Sequence, residues 1–150
     1  MNIRHRFELD LQKQNTNSNN ELRLNVCANY VPSLIDSRSN VALVEVTLPS
    51  GYVVDHNPIS EQTTENPIQN IRILYGGTSV ILYYNSMGSE RNCFTVSAYK
   101  RFKVALKSPA YVVVYDYYET IRSAIEVYEV DKQYVCEICE EEDCPAECKK

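Results

Sequence analysis

The chain has 150 residues, with 15 Lys plus Arg against 20 Asp plus Glu and a formal net charge of -5. That balance excludes the clustered basic excess typical of nucleic-acid binding, and a hydrophobic share of 44% excludes wholesale disorder. Apolar runs such as Ala110–Tyr115 and Val41–Val44 are far too short to span a bilayer, so no membrane insertion is expected.

In chain order, Phe7, Leu9 and Leu11 alternate with Glu8, Asp10 and Gln12, which predicts a half-buried strand. Gln14–Asn20 is polar and reads as a loop. Leu22, Leu24, Val26 and Ala28 then alternate with Arg23, Asn25 and Cys27, a second strand ending near Tyr30. Pro32–Asn40 is rich in turn formers, Val41–Leu48 is a third strand, and Pro49-Ser50-Gly51 ends it. Tyr52–Pro67 does not read as sandwich strand. Asn57-Pro58 looks like an N-cap and first helical residue, and Pro67 limits any helix to one or two turns. Ile68–Leu74 resumes strand, Gly76-Gly77 signals a hairpin, and Ser79–Tyr84 returns. Cys93–Val104, Ala110–Tyr117 and Ser123–Val130 complete the set. Eight or nine short strands with turn chemistry between them predict an antiparallel β-sandwich or barrel. The 12 tyrosines agree, since Tyr favours strands and suits a wet sheet rim.

The composition shifts at Asp131. Residues 1–130 read as one domain and 131–150 as an acidic, cysteine-rich tail. An even count of 6 Cys suggests an oxidising compartment, although Met1–Asp10 contains no secretory h-region. The two agree if the chain is a segment of a longer secreted protein. Cys27 and Cys93, each on a strand, are expected either to bridge the sheets or to lie as buried thiols, and the even tail set favours a bond. Cys136, Cys139, Cys144 and Cys148 have nearly the spacing of a zinc knuckle. Their neighbours Glu137, Glu140, Glu141, Glu142, Asp143 and Glu147 would repel nucleic acid. Disulfides are favoured over a Cys₄ zinc site by the compartment alone.

No catalytic constellation is evident. The only histidines are His5 and His56, neither with a nucleophile pattern beside it, and the 4 glycines form no phosphate loop. No enzymatic activity and no cofactor are expected. Tyr83-Tyr84 and Tyr115, Tyr117 and Tyr118 form either a binding platform or, more commonly, sheet face and rim.

Leu24-Asn25-Val26-Cys27, Val44 through Tyr52, Cys93-Phe94-Thr95-Val96 and above all Val112-Val113-Val114-Tyr115-Asp116-Tyr117-Tyr118-Glu119 carry a further pattern. It resembles the C-terminal receptor-binding domain of the alpha-2-macroglobulin family, which includes complement components and insect thioester-containing proteins. The resemblance covers about residues 5–130, and the tail resembles those of the insect members. It implies a β-sandwich of macroglobulin type with one short side helix, placed in Tyr52–Pro67, at the far end of a long secreted chain. The family's Gly-Cys-Gly-Glu-Gln thioester motif is absent here. The resemblance implies either receptor binding, in protease clearance or innate immunity, or packing against the thioester domain of the parent protein. In vertebrate macroglobulins two lysines four residues apart on the side helix enter acidic, calcium-loaded receptor repeats. The matching positions here are His56 and Ser60, flanked by Asp55 and Glu61, so that mode should be weak. The nearest basic alternative, and the candidate receptor contact, is Lys100, Arg101, Lys103 and Lys107.

Overall fold

A computed structural model describes residues 6–16, 20–62, 65–101 and 110–129. His5, Lys103, Lys107 and the four tail cysteines lie outside them. Nine strands are described: β1 (Phe7–Gln14), β2 (Glu21–Tyr30), β3 (Ala42–Thr47), β4 (Tyr52–Glu61), β5 (Ile68–Leu74), β6 (Ser79–Tyr84), β7 (Asn92–Lys100), β8 (Ala110–Asp116) and β9 (Ser123–Tyr128). They form two antiparallel sheets, a four-stranded one in the order β1-β2-β7-β4 and a five-stranded one in the order β5-β6-β3-β8-β9. This is the expected antiparallel β-sandwich.

Alternation builds the core. Leu24 and Val26 on β2 and Phe94 and Val96 on β7 line one inner face. Val44 and Val46, Val80 and Leu82, and Val112 and Val114 line the other, from three neighbouring strands. All ten side chains are almost completely buried. Because side chains alternate between faces, a one-residue slip in any of these strands would turn its apolar set to water. The buried rings of Tyr30, Tyr52 and Tyr84 belong to the same cluster.

Two expectations are corrected. The first is the side helix. Tyr52–Glu61 is a strand, β4, at the edge of the four-stranded sheet. Tyr52, Val53 and Val54 pair with Lys100, Tyr99 and Ala98, the register shifts between Val54 and Ile59, and Ile59, Ser60 and Glu61 then pair with Val96, Thr95 and Phe94. The Asn57-Pro58 signal marks this irregularity and not a helix start. Proline lacks an amide donor, and an edge-strand bulge is one of the few sheet positions that accept it. β-branched Val53, Val54 and Ile59 favour the pleated arrangement. The only helical turn among the described residues is a 3-10 turn at Tyr75–Gly77, inside the β5–β6 hairpin anticipated from Gly76-Gly77. Both of those glycines have positive φ, 66° and 93°, and a Cβ on Gly77 would lie 3.4 Å from the Val53 side chain.

The second correction concerns Cys27 and Cys93. They are bonded, as expected, but the bond does not bridge the sheets. β2 and β7 are neighbours in one sheet, and Cys27 stands directly opposite Cys93 with Cα atoms 4.1 Å apart. Such a separation is typical of the closely approaching, non-hydrogen-bonded pairs of an antiparallel ladder. Val26 and Phe94, the adjacent pair, point inward, so the sulfurs lie on the outer face. The bond still closes a long loop, with a sequence separation of 66. Replacing both cysteines by Ala should therefore cost about 4 kcal/mol on the chain-entropy estimate. Urea unfolding of the oxidised chain against the double variant measures this directly, and a loss below about 1 kcal/mol would contradict the loop-closure account.

Candidate receptor contact and the opposite loop end

The basic candidate begins where β7 ends. Lys100 pairs with Tyr52, its amide donates to the Asn20 carbonyl at 2.7 Å, and the Arg101 amide donates to the Gly51 carbonyl at 2.8 Å. Two backbone bonds thus fix this corner beside the start of β4. Lys100 is partly buried and Arg101 exposed. Only this half of the candidate stripe falls within the described residues. His56 and Ser60 lie on β4, with Ser60 facing Thr95 across the ladder, so they are not neighbours on a helix. The His56 amide donates to Asp55 Oδ1 at 2.8 Å, and the residue is exposed. The geometry of two cations one helical turn apart is absent from this segment.

At the other end of the sandwich, roughly 25 Å away along β7, the loops 31–41, 85–91 and 117–122 gather. Asp116, at the end of β8, is completely buried. Its carboxylate accepts the Asn40 amide at 2.9 Å, Asn40 Nδ2 at 3.2 Å, the Tyr118 amide at 2.9 Å and the Glu119 amide at 3.0 Å. A buried carboxylate is tolerated only when so satisfied. Arg122 closes the loop from the other side. Its Nη1 donates to Tyr30 Oη at 2.8 Å and pairs with Asp36 at 3.1 Å, and its Nε pairs with Glu119 at 2.6 Å.

The framework holds an apolar group in water. Leu34 and Ile35 are 107% and 91% exposed on one loop, and Tyr117, Tyr118 and Ile121 are 54%, 71% and 79% exposed on the other. The Asp36–Arg122 pair ties the two loops together. Tyr117 and Tyr118 pack edge to face with centroids 5.1 Å apart. The five sequence-flagged tyrosines thus divide into three environments. Tyr84 is core, Tyr83 and Tyr115 flank Leu43 on the outer face of the five-stranded sheet, and Tyr117 and Tyr118 stand at the loop end. Burial and then a hydrogen bond to Glu45 push the Tyr115 phenol up to about 12, so it remains a neutral donor. Leu34 and Ile35 escaped the sequence reading because a Pro/Ser/Asp-rich loop masks two apolar residues without periodicity.

A second network fixes the loop 85–91. Arg38 pairs with Glu90 at 2.7 Å and donates to Ser86 Oγ at 2.8 Å, while the Gly88 amide donates to Glu90 at 2.9 Å. A side chain on Gly88 would collide with the Arg38 guanidinium. Burial opposes ionisation of Glu90. The bonds from Arg38, the Gly88 amide and its own amide outweigh that and hold the carboxyl at about 2. No group of three or more His, Cys, Asp or Glu suited to a metal occurs among the described residues, and no described helix is long and apolar enough to cross a membrane.

The family model for the A-macroglobulin receptor binding domain matches residues 37–129, a span that includes the Asp116 network and the loop residues Tyr117 and Tyr118. The chain belongs to the alpha-2-macroglobulin family, as a receptor-binding domain. It is 78% identical over 150 residues to thioester-containing protein 1 allele S1 of Anopheles gambiae, covering 100% of this chain and 11% of that protein. Allele R1 of the same protein is 74% identical over 148 residues, covering 99% of this chain and 11% of the relative. Ovostatin of Gallus gallus is 30% identical over 93 residues, covering 61% of this chain and 6% of the relative. The chain therefore spans about a tenth of the length of these relatives, none of whose names gives an enzymatic activity to this region.

Two outcomes are expected. Asp116→Ala strands three backbone amides and should cost about 2–4 kcal/mol, whereas Asp116→Asn, which keeps one acceptor oxygen, should cost less. Thermal unfolding, with amide exchange at 117–122 as a local readout, checks the order. The second concerns acid. The Glu90 carboxyl is depressed on folding, so its contribution is complete above about pH 4.5, the ordinary value, and is lost as pH falls toward 2. Since Arg38 is nearly half exposed, that contribution is about 1–2 kcal/mol. Glu90→Gln should flatten the pH dependence of urea unfolding between pH 5 and pH 2, and an unchanged slope would remove the assignment.

Proposed function

We propose that the chain is the non-catalytic recognition domain of a secreted thioester-containing protein of the alpha-macroglobulin family, binding a cell-surface receptor or partner in protease clearance or innate immunity. The reading is carried by the match to the receptor-binding domain family over residues 37–129. Contact is assigned to the basic corner formed by Lys100 and Arg101, with Lys103 and Lys107 following in sequence. Four cations within eight residues stand out in a chain of net charge -5, and such a stripe steers an acidic partner. The β4 geometry supports choosing this corner over the helix mode, because His56 and Ser60 present no paired cations.

A second reading has its own observation. Leu34, Ile35, Tyr117, Tyr118 and Ile121 form an exposed apolar group on loops held by the partly exposed Asp36–Arg122 ion pair and by amide hydrogen bonds to Asp116. Groups of this kind mark packing surfaces. On this reading the loop end packs against the thioester domain of the parent protein and restrains it until activation, and the basic corner at the opposite end stays accessible.

Surface-plasmon measurements on calcium-loaded lipoprotein-receptor repeats test the receptor reading. Weak binding is expected, unaffected by His56→Ala and reduced at least tenfold by combined Lys100→Ala, Arg101→Ala, Lys103→Ala and Lys107→Ala. Tight binding that survives the quadruple variant and disappears on His56→Ala would overturn it. For the second reading, Ile35→Ser with Ile121→Ser in the full-length parent should loosen the domain interface, seen as faster hydrolysis of the thioester.

A further inference from the structure

The outer face of the four-stranded sheet places unlike surroundings on the two halves of one disulfide. Cys27, on β2, is only 3% exposed. Asp10 stands opposite it on β1, and Arg91, two residues before Cys93, reaches across β2 to Asp10 at 3.0 Å. This ion pair forms a strap over the Cys27 side of the bond. Glu8, Leu9, Asp10, Asn29 and Arg91 surround Cys27 in a shallow depression of about 250 Å³. Cys93, on β7, lies beyond the strap and is partly exposed.

The chemistry of the two sulfurs differs in the same sense. Asn25 Nδ2 donates to Cys27 Sγ at 3.6 Å. The orientation of that amide is set by its oxygen, which accepts from Gln62 Nε2 at 3.0 Å and from Thr95 Oγ1 at 3.4 Å. A donor held against one sulfur stabilises the thiolate that develops there when the bond breaks. In thiol–disulfide exchange the rate depends on which sulfur is accessible and on how readily the other leaves. Here accessibility favours attack at Cys93 and leaving-group stabilisation favours departure of Cys27.

The sulfurs are also separate from the core. The packed side chains of β2 and β7 lie on the opposite face, and the ladder holds the strands in register from Glu21↔Tyr99 to Ala28↔Asn92. Cleaving the bond removes a cross-link between strands that remain paired.

We propose that Cys27–Cys93 is a redox-exchange site, reduced in the folded domain by a dithiol of thioredoxin type that enters at Cys93. One thiolate of the reductant attacks Cys93 Sγ, forming a mixed disulfide. The electron pair of the old bond goes to Cys27 Sγ, which leaves as a thiolate beside the Asn25 amide and then takes up a proton. The second thiol of the reductant attacks its own mixed-disulfide sulfur and releases Cys93. The reductant ends as a disulfide and the domain as two thiols.

The test uses the complete 150-residue chain with thioredoxin, with differential alkylation and peptide mapping to separate Cys27 and Cys93 from the tail cysteines. Thioredoxin should make both alkylatable while the near-ultraviolet circular dichroism of the folded domain persists. Thioredoxin with its resolving cysteine replaced by Ser should be trapped on Cys93. Asn25→Ala should slow the reaction about five- to tenfold, the loss of one hydrogen bond to the leaving sulfur. Arg91→Ala, which opens the strap, should divert part of the trapped adduct to Cys27. Bonds that stay closed until urea unfolds the chain, an adduct on Cys27 in the unmodified chain, or an unchanged rate in Asn25→Ala would each overturn the proposal.

Discussion

The pairing of β2 with β7 is the constraint on which the rest of the molecule depends. These are the two central strands of the four-stranded sheet, and their register sets which side chains face inward. Once Val26 faces the core beside Phe94, Cys27 and Cys93 must meet on the outside and Asn25 must stand beside Thr95. The same ladder separates the two ends of the molecule. Lys100 lies at one end of β7, and Asn92, beside the loops that carry the apolar group, lies at the other. A slip of one residue in β2 would turn Arg23, Asn25 and Cys27 toward the core and Leu22, Leu24, Val26, Ala28 and Tyr30 away from it.

Buried and half-buried charge is concentrated at the loop end, where it performs structural work. Asp116 gathers three backbone amides and a side-chain amide, so its oxygens are satisfied by amide donors. Arg122 and Glu90 work by pairing. These arrangements give loops the definition that strands obtain from ladders. They explain how the aliphatic and aromatic side chains of Leu34, Ile35, Tyr118 and Ile121 stay in water and do not fold back. The stretch Val112 to Glu119 is half core strand and half the turn that Asp116 organises.

The two ends suit different partners. The loop end offers apolar area on a rigid frame, and the opposite corner offers cations at the end of a central strand. On the readings proposed above, the loop end would face the parent protein and the basic corner a receptor. The outer-face disulfide lies between them, and its asymmetry arises from an ion pair and a side-chain amide that both act on the Cys27 half.

The sequence by itself determined the strands and the sheet class. Period-2 alternation survives without tertiary information, and eight of the nine strands were legible because half-buried strands must alternate. The glycine hairpin and the existence of the Cys27–Cys93 bond were legible for similarly local or counting reasons. The resemblance in residues 112–119 carried the family. Tertiary structure alone decided the fate of Tyr52–Glu61. Local signals at Asn57-Pro58 suit a helix start and an edge bulge equally, and the hydrogen-bonding edge of β7 chose between them. It also decided that the bond lies within a sheet, since strand adjacency is a long-range property that no spacing encodes. Leu34, Ile35 and Ile121 became a group only when Arg122 joined two loops 86 residues apart in sequence, a contact with no local signature.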